Sequence, residues 1–158
     1  MKKQANSEQC FVCGLQNPAG LHIHFYESAP GEVTADCTVG EQHQGYPGIV
    51  HGGIVAAMLD ELTGRAHMGS ASYPRFMFTA RLDVRYRKPV PVGKPLRLVG
   101  RVGEIKSRMA TAKSFIYGPD EELLAEAEAV LVNVPDSMVN QVDLEAFGWK
   151  VYPEADAE

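Results

Sequence analysis

The sequence His51-Gly52-Gly53-Ile54-Val55-Ala56-Ala57-Met58-Leu59-Asp60-Glu61 decides how this chain folds. Two glycines precede an apolar segment, and a helical period continues to about Met68. At about 100° per residue, the apolar side chains occupy one arc of roughly 140°, and small and polar side chains occupy the opposite side. The pattern predicts one amphipathic helix from Gly53 to about Met68.

Two adjacent carboxylates lie in this helix, and their surroundings in the sequence differ. Glu61 lies at the edge of the apolar arc, four residues before Arg65, so an ordinary helical ion pair accounts for it. Asp60 lies on the small-residue side and has no such partner in the sequence. Asp60 is therefore the candidate catalytic acid, and Glu61 is the alternative.

Extended segments flank the helix on both sides. They alternate in hydrophobicity and are separated by Gly- and Pro-containing turns, and the first two form a predicted hairpin. Residues 122–134 stay undecided by propensity, because Glu, Leu and Ala favour helix whereas the run from Val130 to Val134 favours strand. The predicted strands are residues 21–28, 32–39, 77–88, 95–106 and 108–117.

The order of these elements predicts an α+β fold in which one long helix lies against one face of an antiparallel sheet. One domain is expected for 158 residues, of which 45% are hydrophobic. Residues 1–9 are polar, which predicts disorder. Beyond residue 136, the pattern predicts a short helix capped by Ser137, followed by frayed terminal residues.

Composition excludes several classes of protein. A formal net charge of −5 argues against a general attraction to nucleic acid. No segment approaches the roughly 20 apolar residues of a membrane-spanning helix, and the first ten residues lack the apolar run of a secretory signal. Three cysteines do not make a disulfide framework. We expect a cytoplasmic protein whose partners include neither nucleic acid nor a membrane.

Cys10 and Cys13 form a Cys-x-x-Cys motif, which is half of a tetrahedral zinc site, and His22 and His24 could supply the other two ligands. The alternative is that two small thiols pin an N-terminal loop while the histidines occupy the solvated side of a strand. The second interpretation is favoured, so no metal site is expected.

From about Gly20 to Pro135, the sequence resembles hotdog-fold proteins, in particular the PaaI-like branch of acyl-CoA thioesterases. The resemblance rests on His51-Gly52-Gly53, on an acidic residue nine positions after His51, and on the segment LDVRYRKPVPVG at residues 82–93. It implies an antiparallel sheet of five to six strands wrapped around one central helix, with a strand over residues 123–134.

The resemblance also divides the chain and implies an assembly. It implies an N-terminal segment over residues 1–19 with the Cys-x-x-Cys loop, a hotdog domain over residues 20–135, and a tail over residues 136–158 with a short helix. In that family, two subunits pair their sheets and each active site lies at the dimer interface. We therefore expect a homodimer or a homotetramer.

The resemblance assigns roles in acyl-CoA thioester hydrolysis. Asp60 matches the general base or nucleophile, and Gly52 and Gly53 match the helix start whose N–H groups polarise the thioester carbonyl. Thr79 matches a hydroxyl that the partner subunit supplies, and His51 orients the loop or donates to the carbonyl. Coenzyme A is part of the substrate, so no cofactor is expected.

Further residues are candidates for substrate binding. Gln44 precedes His51 in a loop where some family members carry an amide side chain. Arg85, Arg87 and Lys88 suit the phosphates of coenzyme A, although a solvated strand face explains them equally well.

Two other functions stay open on the same fold. One is a non-catalytic acyl-CoA-binding protein. The other is a hydroxyacyl thioester dehydratase or hydratase, since those hotdog enzymes also place a histidine before the helix and an acid on it. Such enzymes normally carry Pro-Gly where this chain has Gly52-Gly53, and residues 17–22 resemble the hydratase segment only weakly.

Overall fold

The computed structural model describes residues 1–69 and 74–153. In these residues, the chain forms an antiparallel sheet and one long helix, followed by a single helical turn. A 3-10 turn at Glu41–His43 precedes the long helix. The helices are α1 (Gly52–Met68) and α2 (Asp136–Val139), and the strands are β1 (Lys2–Lys3), β2 (Tyr26–Ala29), β3 (Glu32–Thr38), β4 (Met77–Tyr86), β5 (Pro95–Ile105), β6 (Met109–Tyr117) and β7 (Leu123–Asn133).

The strands pair in the order β1-β2-β3-β5-β6-β7-β4, and every pairing is antiparallel. Helix α1 packs against β3 and against all four strands that follow it in the chain. The sheet therefore wraps one central helix, which confirms the predicted α+β hotdog fold. Strand β4 lies at the end of the sheet, where it pairs along its length with β7.

The apolar arc of α1 makes the centre of the core, as predicted. Met58, Leu59 and Leu62 are completely buried. The sheet comes very close to the helix at Gly100 in β5, where a Cβ atom would lie 2.5 Å from the Leu62 carbonyl oxygen. A glycine at this position lets α1 lie directly on the strand.

The sheet also covers part of the side of α1 that carries small and polar side chains. Thr63 is completely buried and His67 is 8% exposed. The Thr63 hydroxyl donates to the Asp60 carbonyl at 2.7 Å, and His67 Nε2 hydrogen-bonds the Thr111 carbonyl at 2.8 Å. These hydrogen bonds allow polar side chains to be buried against the curved sheet.

The sheet has seven strands in the described residues, not five to six, because β1 comes from the segment predicted to be disordered. That prediction for residues 1–9 was wrong. Ala5 and Asn6 are buried, and Asn6 Nδ2 donates to the carbonyls of Cys13 and Ile23 at 2.7 and 2.9 Å. A polar sequence is ordered here because its side chains find backbone acceptors inside the fold.

Other element boundaries differ locally from the prediction. The first strand of the hairpin begins at Tyr26, since His22 has a φ of 54° and interrupts extended backbone. Pro135 is the N-cap of α2, so the predicted cap at Ser137 was wrong. Residues 70–73 of the loop after α1, and residues 154–158, which were expected to fray, lie outside the described residues.

The segment that propensity left undecided forms strand β7. Ala125, Ala127, Ala129 and Leu131 are buried on alternate positions, whereas Glu126 and Glu128 between them are more exposed. This period of two overrides the helix propensity of Ala and Glu. None of the described helices is long and apolar enough to cross a membrane.

Candidate active site

Helix α1 begins at Gly52, and the preceding His51 caps it. The Gly53 N–H donates to His51 Nδ1 at 2.9 Å. Because Nδ1 accepts this bond, a neutral His51 carries its proton on Nε2, which then becomes a donor. The Gly53 N–H is thus engaged in the cap, and the donors that this end of α1 offers to a ligand are the Gly52 N–H and His51 Nε2.

Tyr86 holds the same end of the helix, although its role was not predicted from the sequence. Its hydroxyl donates to the Gly52 carbonyl oxygen at 2.7 Å. The Tyr86 ring lies 3.6–3.7 Å from the place where a Cβ atom on Gly52 would stand. The position of Tyr86 between the candidate residues Arg85 and Arg87 is the one sequence signal that points to it.

A cavity of about 670 Å³ opens at the start of α1. Val50, Val55 and Val90 supply apolar walls, whereas His51 and Gly52 place hydrogen-bond donors at one end. A mostly apolar cavity with a few donors suits a ligand that combines an apolar chain with one polar group.

Two of the three basic residues proposed for substrate binding line this cavity, and the third does not. Arg87 and Lys88 line the cavity, but Arg87 is also paired in bidentate geometry with Glu126, at 2.9 and 3.0 Å. This pairing lowers the pKa of Glu126 and raises the pKa of Arg87. Arg85 is exposed on β4 and is not among the lining residues.

Gln44 also lies outside the lining of the cavity. Its side-chain oxygen accepts the Gly48 N–H at 3.2 Å, and its backbone pairs with Val50. In this structure, Gln44 therefore shapes the loop that leads to His51.

Asp60 lines a second, smaller cavity of about 230 Å³. The Thr79 hydroxyl, on β4, donates to Asp60 Oδ1 at 2.6 Å. The structure thus brings together two predicted site residues that are 19 positions apart. Both belong to one chain, whereas the resemblance implied a hydroxyl from the partner subunit. Asp60 forms no ion pair with any described residue, so its carboxylate is not neutralised by a cation.

The helix start and Asp60 of a single chain do not serve the same cavity. Gly52 and Asp60 are eight residues apart on α1, which corresponds to about 12 Å along the axis and about 80° around it. Gly52 lines the larger cavity and Asp60 lines the smaller one.

The predicted ion pair between Glu61 and Arg65 forms, at 2.9 Å between Oε1 and Nε, but it is not on a solvated face. Arg65 is only 1% exposed. Its guanidinium lies over the ring of Phe25, with its carbon 4.5 Å from the ring centroid. The second carboxylate of the helix therefore points into the protein.

Cys10 and Cys13 line the smaller cavity with Asp60 and Glu61. The hydrogen bond from Cys10 lowers the pKa of Cys13 to about 6, and the same interaction raises the pKa of Cys10. The predicted partners do not join them, because His22 Nε2 hydrogen-bonds the Asn17 carbonyl and neither histidine belongs to the cluster that contains the thiols.

The chain matches a known family. Residues 47–125 match the family model described as thioesterase superfamily. The matched segment contains α1, β4, β5 and β6 and the first residues of β7. It therefore covers the helix start, Asp60 and Thr79.

Individual proteins resemble the chain over a longer range. Acyl-coenzyme A thioesterase THEM4 of Rattus norvegicus is 27% identical over 138 residues, which are 85% of this chain and 58% of that protein. The chain spans little more than half the length of this relative and about half that of the Xenopus laevis protein of the same name.

Solved structures share the fold. A crystal structure of a thioesterase superfamily protein is 30% identical, has a TM-score of 0.72, and aligns with 79% of this chain and 63% of its own. The E. coli PaaI protein from the phenylacetic acid degradation operon is 16% identical, has a TM-score of 0.65, and aligns with 73% of this chain and 81% of its own.

Proposed function

This chain belongs to the thioesterase superfamily, and on that premise we propose that it hydrolyses acyl-coenzyme A thioesters, with Asp60 as general base or nucleophile. The hydrogen bond from Thr79 to Asp60 carries the proposal. It orients a partly buried carboxylate that has no cationic partner in the described residues. A carboxylate held in this way can take a proton from water or attack the carbonyl carbon directly.

The start of α1 supports the proposal as a carbonyl-binding site. Thioester hydrolysis places negative charge on the carbonyl oxygen when the water oxygen or the carboxylate adds to the carbon. The Gly52 N–H, His51 Nε2 and the positive end of the helix dipole offer donors for that charge. Tyr86 keeps this end of the helix in place through the Gly52 carbonyl.

We further propose that the catalytic site forms between two copies of the chain. One chain holds Gly52 and Asp60 about 12 Å apart along α1, whereas a carbonyl under direct attack spans only about 6–7 Å between its donor and its nucleophile. Strand β4 lies at the end of the sheet and exposes Phe78 by 48% and Tyr86 by 55%. A two-fold pairing of this edge covers both residues and brings Asp60 of one chain toward the helix start of the other.

The larger cavity suits the acyl-CoA substrate. Its apolar walls fit an acyl chain, and Lys88, which also lines the cavity, offers positive charge for the phosphates of coenzyme A. The rat relative is named for acyl-coenzyme A, which agrees with this choice of substrate.

The experiment is a panel of short, medium, long and aromatic acyl-CoA thioesters, with hydrolysis read as released thiol. We expect activity on at least one member and a loss of about 10²–10⁴-fold in kcat for Asp60→Asn. Asp36→Asn is the matched control, because Asp36 is an exposed aspartate on the distant strand β3. No thiol release across the panel, or full activity of Asp60→Asn, contradicts the proposal.

Two other results identify the alternatives directly. Tight acyl-CoA binding without turnover indicates the non-catalytic binding protein. Loss of enoyl-thioester absorbance without thiol release indicates the hydratase.

A further inference from the structure

We propose that Cys10, Cys13 and Glu61 form a binding site for a thiophilic divalent cation such as Zn²⁺, which fastens the N-terminal segment to the central helix. This proposal does not depend on the proposed hydrolytic activity.

The first argument is the convergence of three suitable donors. One ligand atom from each of these residues lies within 4.8 Å of the other two. Zinc bonds of about 2.3 Å to sulfur and 2.0–2.2 Å to carboxylate oxygen place tetrahedral ligands about 3.5–3.8 Å apart. A small movement of the side chains is therefore sufficient to bind the ion.

The second argument is the turn that carries the two cysteines. The Gly14 N–H donates to the Cys10 carbonyl at 2.8 Å, and the Cys13 N–H donates to Cys10 Sγ at 3.4 Å. These hydrogen bonds close the turn that holds the two thiols within ligand distance of each other. A Cβ atom on Gly14 would lie 2.3 Å from the Cys10 carbonyl oxygen, so this tight turn requires glycine.

The third argument is the charge around the cluster. Arg65 is 1% exposed, and its Nη2 has no hydrogen-bond partner among the described residues. Two thiolates, the Glu61 carboxylate, a divalent cation and the Arg65 guanidinium together carry no net charge. Arg65 pairs with Oε1 of Glu61, and a carboxylate has a second oxygen for the ion. Metal binding thus leaves no uncompensated charge in a buried region.

Packing alone does not explain the cluster. The side chain of Cys13 is buried in the core, which accounts for one small apolar residue. Cys10 also packs against this core and Glu61 pairs with Arg65, but neither contact requires two thiols and a carboxylate to lie within 4.8 Å of one another. All three ligands line the cavity that holds Asp60, so a water molecule from this cavity completes the tetrahedron.

The test uses the whole protein, purified reduced and stripped of metal, with Co²⁺ as a spectroscopic probe. We expect one Co²⁺ per chain, with the near-ultraviolet thiolate-to-cobalt charge-transfer band, and displacement of the cobalt by Zn²⁺. Zn²⁺ protects two thiols from a thiol reagent. Cys10→Ser and Cys13→Ser abolish the band, and Glu61→Gln weakens Co²⁺ binding about tenfold or more.

Cys37→Ser is the matched control, because Cys37 is the third cysteine and lies outside the cluster. It leaves the band and the stoichiometry unchanged. The proposal is overturned if the reduced wild-type protein binds neither metal, or if binding survives in Cys10→Ser. It is also overturned if the two thiols form a disulfide in air while the reduced protein takes up no metal. The wild-type measurements decide the matter even if a variant fails to fold.

Discussion

A subunit-mixing experiment tests how the catalytic site is assembled. The perturbation is a pair of variants, each defective in a different half of the site. Asp60→Asn removes the proposed base. Gly52→Val adds methyl groups to the cavity in front of the helix start, and its Cβ atom makes only ordinary contacts of 3.6–3.7 Å with Tyr86. The Cβ atom therefore fits beside Tyr86, and the γ-methyl groups are the part of the new side chain that blocks the carbonyl site.

The expected magnitude follows from the geometry of α1. Gly52 and Asp60 lie about 12 Å apart along one helix, and the proposed inter-subunit site takes them from different chains. Random mixing makes about half of the dimers mixed, and each mixed dimer has one site with both defects and one site with neither. About one quarter of all sites are then intact, so the mixture regains about 25% of wild-type activity.

The assay is thiol release from the best substrate in the panel, measured for each variant alone and after the two are co-expressed in equal amounts. Each variant alone has little activity. If both halves of a site came from one chain, every site in a mixed dimer would be defective and the mixture would stay inactive. That result, with both variants folded and dimeric, refutes the inter-subunit site.

Three further predictions concern single positions. Thr79→Val removes the hydroxyl that donates to the proposed catalytic carboxylate of Asp60, so kcat is expected to fall about 10- to 100-fold with little change in KM; an unchanged kcat excludes the role. Gly100→Ala places a methyl group 2.5 Å from the Leu62 carbonyl oxygen, so the free energy of unfolding measured in denaturant falls by about 1–3 kcal/mol. Gly64→Ala, where the new Cβ atom meets no atom within 4 Å, raises it by about 0.5–1 kcal/mol. Equal effects of the two variants contradict this prediction. Burial lowers the pKa of His67, so as the pH drops below about 6.5 the unfolded chain takes up a proton at this residue before the folded chain does, and the free energy of unfolding falls. His67→Gln has a shallower pH dependence of the free energy of unfolding. A profile identical to that of the wild type contradicts this prediction.

Many of the residues that form the candidate site could be identified from the sequence. Helical projection and the spacing to Arg65 distinguished Asp60 from Glu61. In the structure, Glu61 pairs with Arg65, whereas Asp60 accepts a hydrogen bond from Thr79. Thr79 was matched through resemblance, and it lies against Asp60. The strand over residues 123–133 was decided by resemblance and not by propensity, since alternating burial across a sheet is a property of the packed fold.

The contacts that could not be predicted join residues that are far apart in the sequence. The Tyr86 hydroxyl donates to the carbonyl oxygen of Gly52, which is 34 positions away in the sequence, and no motif near either residue predicts this hydrogen bond. The N-terminal segment is polar enough to suggest disorder, yet residues 4–6 are buried, and Asn6 donates to the carbonyls of Cys13 and Ile23. The sequence offered only His22 and His24 as further ligands for a zinc site at the two cysteines, and that site was the disfavoured interpretation. The structure places the cysteines beside Glu61, about 50 positions away.

The sequence by itself determined the helix that begins with two glycines, its apolar arc, five of the strands around it and the carboxylate on its small-residue side. These follow from period and turn chemistry, which depend on neighbours within a few residues. Only the tertiary structure decided that Arg65 is buried, that the Tyr86 hydroxyl donates to the Gly52 carbonyl, and that one chain keeps its helix start and its carboxylate in different cavities. Those facts depend on how a curved sheet closes around the helix, which no local pattern encodes.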